Sequence, residues 1–156
     1  MTIDPASLTW RWCRFDELSV FELDAIYRAR QLVFSIEQAC AYLDADGFDA
    51  ASWHLAAWSP PQQVPLAYAR VVHPGQKYTE PSIGRVITTA AARGCGLGRE
   101  TMVRAVAHAA ELWPGAAIRI AAQSRLEAFY ASLGFVIASP RFLEDGIDHT
   151  EMVRPG

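Results

Sequence analysis

Arg93 to Gly98 reads RGCGLG: three glycines at alternate positions, with an arginine at one end and Arg99 just beyond the other. Glycine leaves no Cβ over the backbone, so an anion can approach the main-chain N–H groups closely. The helix-compatible run from Leu97 to Leu112 adds the unpaired, partially positive amides that open a helix. The chemistry of such a segment is the holding of a diphosphate. Two phosphate motifs are excluded by their details. A nucleoside-triphosphate loop ends in Lys followed by Ser or Thr, where this chain has Leu97, Gly98 and Arg99. A dinucleotide fingerprint reads GxGxxG after the first strand of a βαβ unit and needs an acidic residue about 20 positions further on. Here the spacing is GxGxG, past mid-chain, and the run that follows is mostly Ala, Val and Arg. A tight turn before a helix is the plain alternative.

Other reactive side chains fall into groups. Glu144, Asp145 and His149 surround Gly146, where a turn brings acid and imidazole together, either as part of an acceptor pocket or as a charged hairpin tip. Arg70 and Arg85 interrupt two apolar runs expected to be neighbouring strands. Burying them requires anions: internal carboxylates such as Asp44, Asp46 or Glu37, or an acidic portion of a bound acceptor. His54, between Trp53 and Leu55, is expected to hydrogen-bond in the core. Cys13, Cys40 and Cys95 are scattered and without a nearby ligand pair, so neither a disulfide framework nor a metal site is expected. Cys95 lies among amides and arginines that favour a thiolate, and its plain reading is a variable loop position.

GRVITTAAARGCGLG (84–98) with AFYASLGF (128–135) resembles the two signature motifs of the GNAT superfamily of N-acetyltransferases. FSIEQACAYLDADGFD (34–49), LAYARV (66–71) and FLEDGIDHTEM (142–152) resemble the ElaA-type branch, so the likeness covers nearly the whole chain. The resemblance implies that acetyl-CoA is the co-substrate, its diphosphate held by Arg93, Gly94, Cys95, Gly96, Leu97, Gly98 and Arg99. It implies that the preceding strand, Val86, Ile87 and Thr88, splays from its neighbour and offers free amides. Tyr130 matches the superfamily tyrosine that approaches the coenzyme sulfur. Gln123 stands where many relatives carry an asparagine that touches the coenzyme. Superfamily members build much of the acceptor site around the end of the first helix, which makes Glu37 a candidate base.

Acetyl transfer to an amine sets three demands. A lysine-like amine, with a pKa of about 10.4, must lose a proton to a base; the carbonyl oxygen needs donors; the departing thiolate needs an acid. The expected reaction is direct attack by the primary amine of a small molecule or peptide in a ternary complex, with Tyr130 and Glu37 catalytic, Arg70, Arg85 and His149 binding the acceptor, and no metal. The competing class is a non-catalytic module that binds or senses acyl-CoA.

These residues must be positioned by the rest of the chain. At 156 residues and 51% hydrophobic, it has the length for one domain spanning 1–156. A net charge of −3 disfavours nucleic acid, and the absence of a long apolar run or leader pattern points away from membranes and towards the cytoplasm. The resemblance allows a homodimer. Strands are expected at 8–15, 53–58, 65–72, 83–88, 116–121, 135–138 and 150–154, with turns at Pro60, Pro61, Pro74 and Pro81. Capping boxes at Ser19/Glu22 and Ser124/Glu127 open helices running to about Gln38 and to Gly134, and a third helix spans 97–112. The stretch 39–51 reads as an ordered loop or short helix. The sum is an α/β sheet of six or seven mixed strands with helices on both faces, the GNAT fold that the resemblance implies.

Overall fold

The computed structural model describes residues 2–59 and 64–156, so the turn expected at Pro60 and Pro61 lies outside the described residues. Strands β1 (Thr9–Arg14), β2 (Ser52–Trp58), β3 (Ala67–Val72) and β4 (Ser82–Thr88) pair antiparallel in that order. Helix α1 (Val20–Gln31) lies between the first two. Helix α2 (Leu97–Leu112) carries the chain across to β5 (Ile118–Gln123), parallel to β4, as a strand–helix–strand unit requires. Strand β8 (Ile147–Arg154) pairs antiparallel with β5, and two short strands, β6 (Val136–Ile137) and β7 (Phe142–Glu144), both pair with β8.

The mixed sheet therefore has eight strands rather than six or seven. The addition is β7, which folds back through Asp145 and Gly146 with φ of 51° and 76°. Two consecutive positive φ values make a primed hairpin turn, for which Asp-Gly is a favoured pair.

Strand alternation explains the two-sided core. Leu55, Ala69 and Val71 meet Met102, Ala105 and Ala109 of α2 on one face; Ala56, Tyr68 and Ile87 meet Ile26 and Ala29 of α1 on the other. Ser19 and Glu22 form both halves of the expected capping box, each bond 3.0 Å. The chain stays helical to Glu37, but Leu32–Glu37 is wound as a π-helix, with the Gln38 N–H donating to the Val33 carbonyl at 3.1 Å. Such a turn shifts the helix face, and Phe34, Glu37 and Gln38 all reach the cavity described below.

The second capping box does not form. Ser124–Leu126 is a 3-10 turn, and α3 (Glu127–Ala131) is short. The buried Ser124 hydroxyl meets Thr150 Oγ1 at 2.8 Å, and Glu127 accepts from Thr150 at 2.6 Å and from Arg141 at 3.2 Å. Both side chains are satisfied by partners outside the helix instead of by its opening amides.

Candidate functional site

Strands β4 and β5 pair at a single position, Ser82 with Arg119, and then separate. Between them opens a cavity of about 530 Å³ whose walls include Val86, Ile87, Thr88, Ala121, Gln123 and Tyr130. That volume is of the size that holds small molecules. The register of β4 on β3 shifts between the partners of Tyr68 and Arg70, a bulge in which Arg85 adopts φ of 50°. A non-glycine residue rarely holds that conformation, and bulges bend a strand away from its neighbour. The Thr89 N–H donates to the Leu66 carbonyl at 2.9 Å on the β3 side. Alternation along the strand then turns the amides of Val86 and Thr88 towards the opening.

Beyond Thr88 the chain reaches the glycine loop. Gly94 and Gly96 have φ of 82° and 80°, which reserve both positions for glycine. Among the described residues, the amides of residues 94–99 donate to no protein acceptor; the first bond of α2 runs from the Glu100 N–H to the Gly96 carbonyl at 3.1 Å. Six consecutive free amides at a helix N-terminus fit a diphosphate. Gly98 supports the fit differently. Its φ is ordinary, and a Cβ there would meet only the Thr88 methyl, at 3.7 Å. The fold itself does not demand glycine at 98, whereas close approach of an anion to the backbone would favour it. If the loop holds the coenzyme diphosphate as the resemblance implies, Gly98→Ala is expected to leave the thermal midpoint unchanged or slightly raised while weakening CoA about tenfold or more, read by melting and calorimetry side by side.

The two arginines that bracket the loop are turned onto protein. Arg93 donates to the Thr88 carbonyl at 2.9 and 3.1 Å and to Glu37 Oε2 at 2.5 Å, and Arg99 donates to Ser132 Oγ at 2.6 Å with its guanidinium 5.8 Å from the Phe129 ring. The Cys95 thiol donates to the Ala92 carbonyl at 3.0 Å, and Leu97 is buried. Gln123 donates to Gln38 Oε1 at 3.0 Å and accepts from Arg125 at 3.1 Å.

Arg70 and Arg85, expected at the acceptor, are paired internally. Arg70 grips Asp46 with two bonds, 2.7 and 2.9 Å, and reaches Asp49 at 3.1 Å. Arg85 Nε lies 2.9 Å from Asp44 Oδ1 as an ion pair in which the N–H is not aimed at the oxygen, while Nη2 bonds Asp46 at 3.1 Å. Of the two expected arrangements, internal pairing is the one seen, although neither fork is complete: Nε of both Arg70 and Arg85 has no aligned acceptor, and both residues line the cavity. Glu37, named with Asp44 and Asp46 as an internal partner, pairs with Arg93 instead. Arg30, which nothing in its sequence neighbourhood marks as a core residue, is fully buried and bonds Asp44 at 2.9 Å and Asp49 at 2.7 and 3.2 Å. Burial lifts the Asp46 and Asp49 carboxyls, but the arginine bonds and charges outweigh it and hold both below the usual carboxylate range.

His54 has the core role expected of it. Its Nε2 faces the Asp49 carbonyl at 2.9 Å and must carry the proton, leaving Nδ1 to accept from the Tyr68 hydroxyl at 2.7 Å. Burial lowers its pKa. His149 is the mirror case. Its Nδ1 faces the Ile147 carbonyl at 2.7 Å and so carries the proton, while Nε2 lies 3.7 Å from Glu144 Oε2, and the residue lines the cavity. Tyr130 is buried between Phe129 and Phe135, at ring distances of 5.1 and 6.0 Å. Burial pushes its pKa up to about 12, with Arg125 opposing. The hairpin of β7 and β8 is a charged turn, and Glu144, Asp145 and His149 also line the cavity.

Comparison with known proteins places this geometry. Residues 62–154 match the model of the acetyltransferase (GNAT) domain. A UPF0039 protein of Synechocystis is 40% identical over 94% of each chain, and protein ElaA of Escherichia coli is 35% identical over 94% of this chain and 96% of its own. Among solved structures, an acyl-CoA N-acyltransferase from Pseudomonas aeruginosa superposes with a TM-score of 0.90 at 39% identity, covering 95% of this chain and 99% of that one. Escherichia coli ElaA gives 0.87 at 34% identity, covering 94% and 99%.

Proposed function

The chain belongs to the GNAT acetyltransferase family, in its ElaA-type branch, and from that premise we propose that it is a cytoplasmic enzyme transferring the acetyl group of acetyl-CoA to a primary amine of a small molecule or peptide. Attack is direct, with both substrates bound. The observation that carries this reading is the row of free amides at 94–99, which begins next to Arg93, a residue that with Thr88 lines the wedge between β4 and β5. When bound, the thioester supplies an activated acyl carbon and a thiolate leaving group.

Each role then falls to a group of this chain. The loop amides hold the diphosphate, and the Val86 and Thr88 amides donate to the carbonyl oxygen as it gains charge. Tyr130, kept neutral by its raised pKa, donates to the sulfur as negative charge develops there. His149 takes the proton of the attacking amine at Nε2, where Glu144 then faces the imidazolium. We prefer His149 to Glu37 as base because the Glu37 carboxylate is occupied by Arg93, and that pair fixes Arg93 across the end of β4.

Incubation with acetyl-CoA and a panel of amines, polyamines and peptides, followed by free thiol, tests the reading. Acceptor-dependent thiol release is expected, reduced about 10²-fold in His149→Gln at unchanged CoA affinity. Binding of CoA with no acceptor raising thiol release above background would support the non-catalytic module instead.

A further inference from the structure

Lys77 is the only lysine in the chain, against thirteen arginines. It lies in the connection between β3 and β4 and lines the same cavity as Arg70, Arg85, Glu144 and His149. The aspartates there are fully used: Asp44, Asp46 and Asp49 are shared among Arg30, Arg70 and Arg85. That set is electrically closed and leaves no carboxylate for a fourth cation. Among the described residues Lys77 makes no ion pair; its ammonium stands 5.9 Å from the Tyr78 ring. Burial, and next the charge of Arg70, pull its pKa below the ordinary lysine range, with Glu144 opposing and Arg85 adding. A half-buried cation beside two others is costly until an anion joins it.

The same cavity has the complement for an amine, in the Nε2 lone pair of His149 and the Glu144 carboxylate behind it. We propose that the acceptor is an amine that also carries a carboxylate, an amino acid or a close analogue, and that Lys77 binds this carboxylate while the amine is presented to His149. The proposal rests on reading the wedge as an acyl-transfer site.

Free amino acids and their carboxamides, titrated into the CoA-loaded protein and offered with acetyl-CoA as acceptors, test it. At least one amino acid is expected to bind and react ten- to a hundred-fold better than its carboxamide, roughly the effect of one charge-assisted bond. In Lys77→Met that ratio falls to within about twofold through the acceptor KM, with CoA affinity unchanged, and Lys77→Arg retains most of it. Equal binding of acid and amide, an unaltered ratio in Lys77→Met, or no amino acid binding at all would overturn the proposal. Selective amino acid binding without any thiol release would remove the catalytic reading and leave the carboxylate site standing.

Discussion

Tyr130→Phe is expected to lower kcat by about 10²-fold while leaving CoA affinity, acceptor KM and folding nearly unchanged. The change removes one hydroxyl from a ring whose packing against Phe129 and Phe135 a phenylalanine reproduces. On the proposed reading, what is lost is the donor to the departing thiolate, an interaction that strengthens only as the sulfur becomes charged, so the effect belongs to kcat. Because burial pushes the phenol to about 12, it stays protonated through any ordinary assay range, and the alkaline limb of the pH profile is not its titration. A kcat within twofold of the unaltered enzyme would remove Tyr130 from the acid's role.

Asp49→Asn should cost about 3–5 kcal/mol of stability, a drop in the thermal midpoint on the order of 10 °C. Asp49 binds both Arg30 and Arg70, and all three side chains are almost fully buried. Removing the shared anion leaves two buried guanidinium groups with one carboxylate each, Asp44 for Arg30 and Asp46 for Arg70, and an excess of buried positive charge. Acid should act in the same direction. The folded pKa values of Asp46 and Asp49 are depressed, so their contribution is fully present above the unfolded carboxylate value of about 3.9 and is lost as pH falls through the folded values. Melting curves from pH 6 downward should show the midpoint falling below about pH 4, less steeply in Asp49→Asn. A variant that melts with the parent would show that the cluster contributes little to stability.

The cluster also shows where the sequence was legible. Asp44 and Asp46 could be named as partners for Arg70 and Arg85 because a charge inside an apolar strand demands an anion. Arg30 and Asp49 escaped notice, since each sits in a stretch where exposed charges are common and only packing buries them. The glycine loop and the bounds of α2 were readable from the spacing of glycines and the helical period. The extent of the splay was not: it follows from the bulge at Arg85, whose positive φ no residue type announces. Strand β7 has three residues, too few to show a period, and the π-helical turn after Gln31 carries the same apolar residues that an α-helix would. Lys77 did leave a compositional trace, the single lysine among many arginines, but its burial in a loop is a matter of tertiary structure.

The most direct test is calorimetric titration of the unaltered protein with CoA and, in parallel, with pantetheine, which lacks the diphosphate. If the free amides at 94–99 grip that group, CoA binds and pantetheine binds at least about tenfold more weakly. Absence of heat with CoA, or equal affinity for the two, would contradict the account.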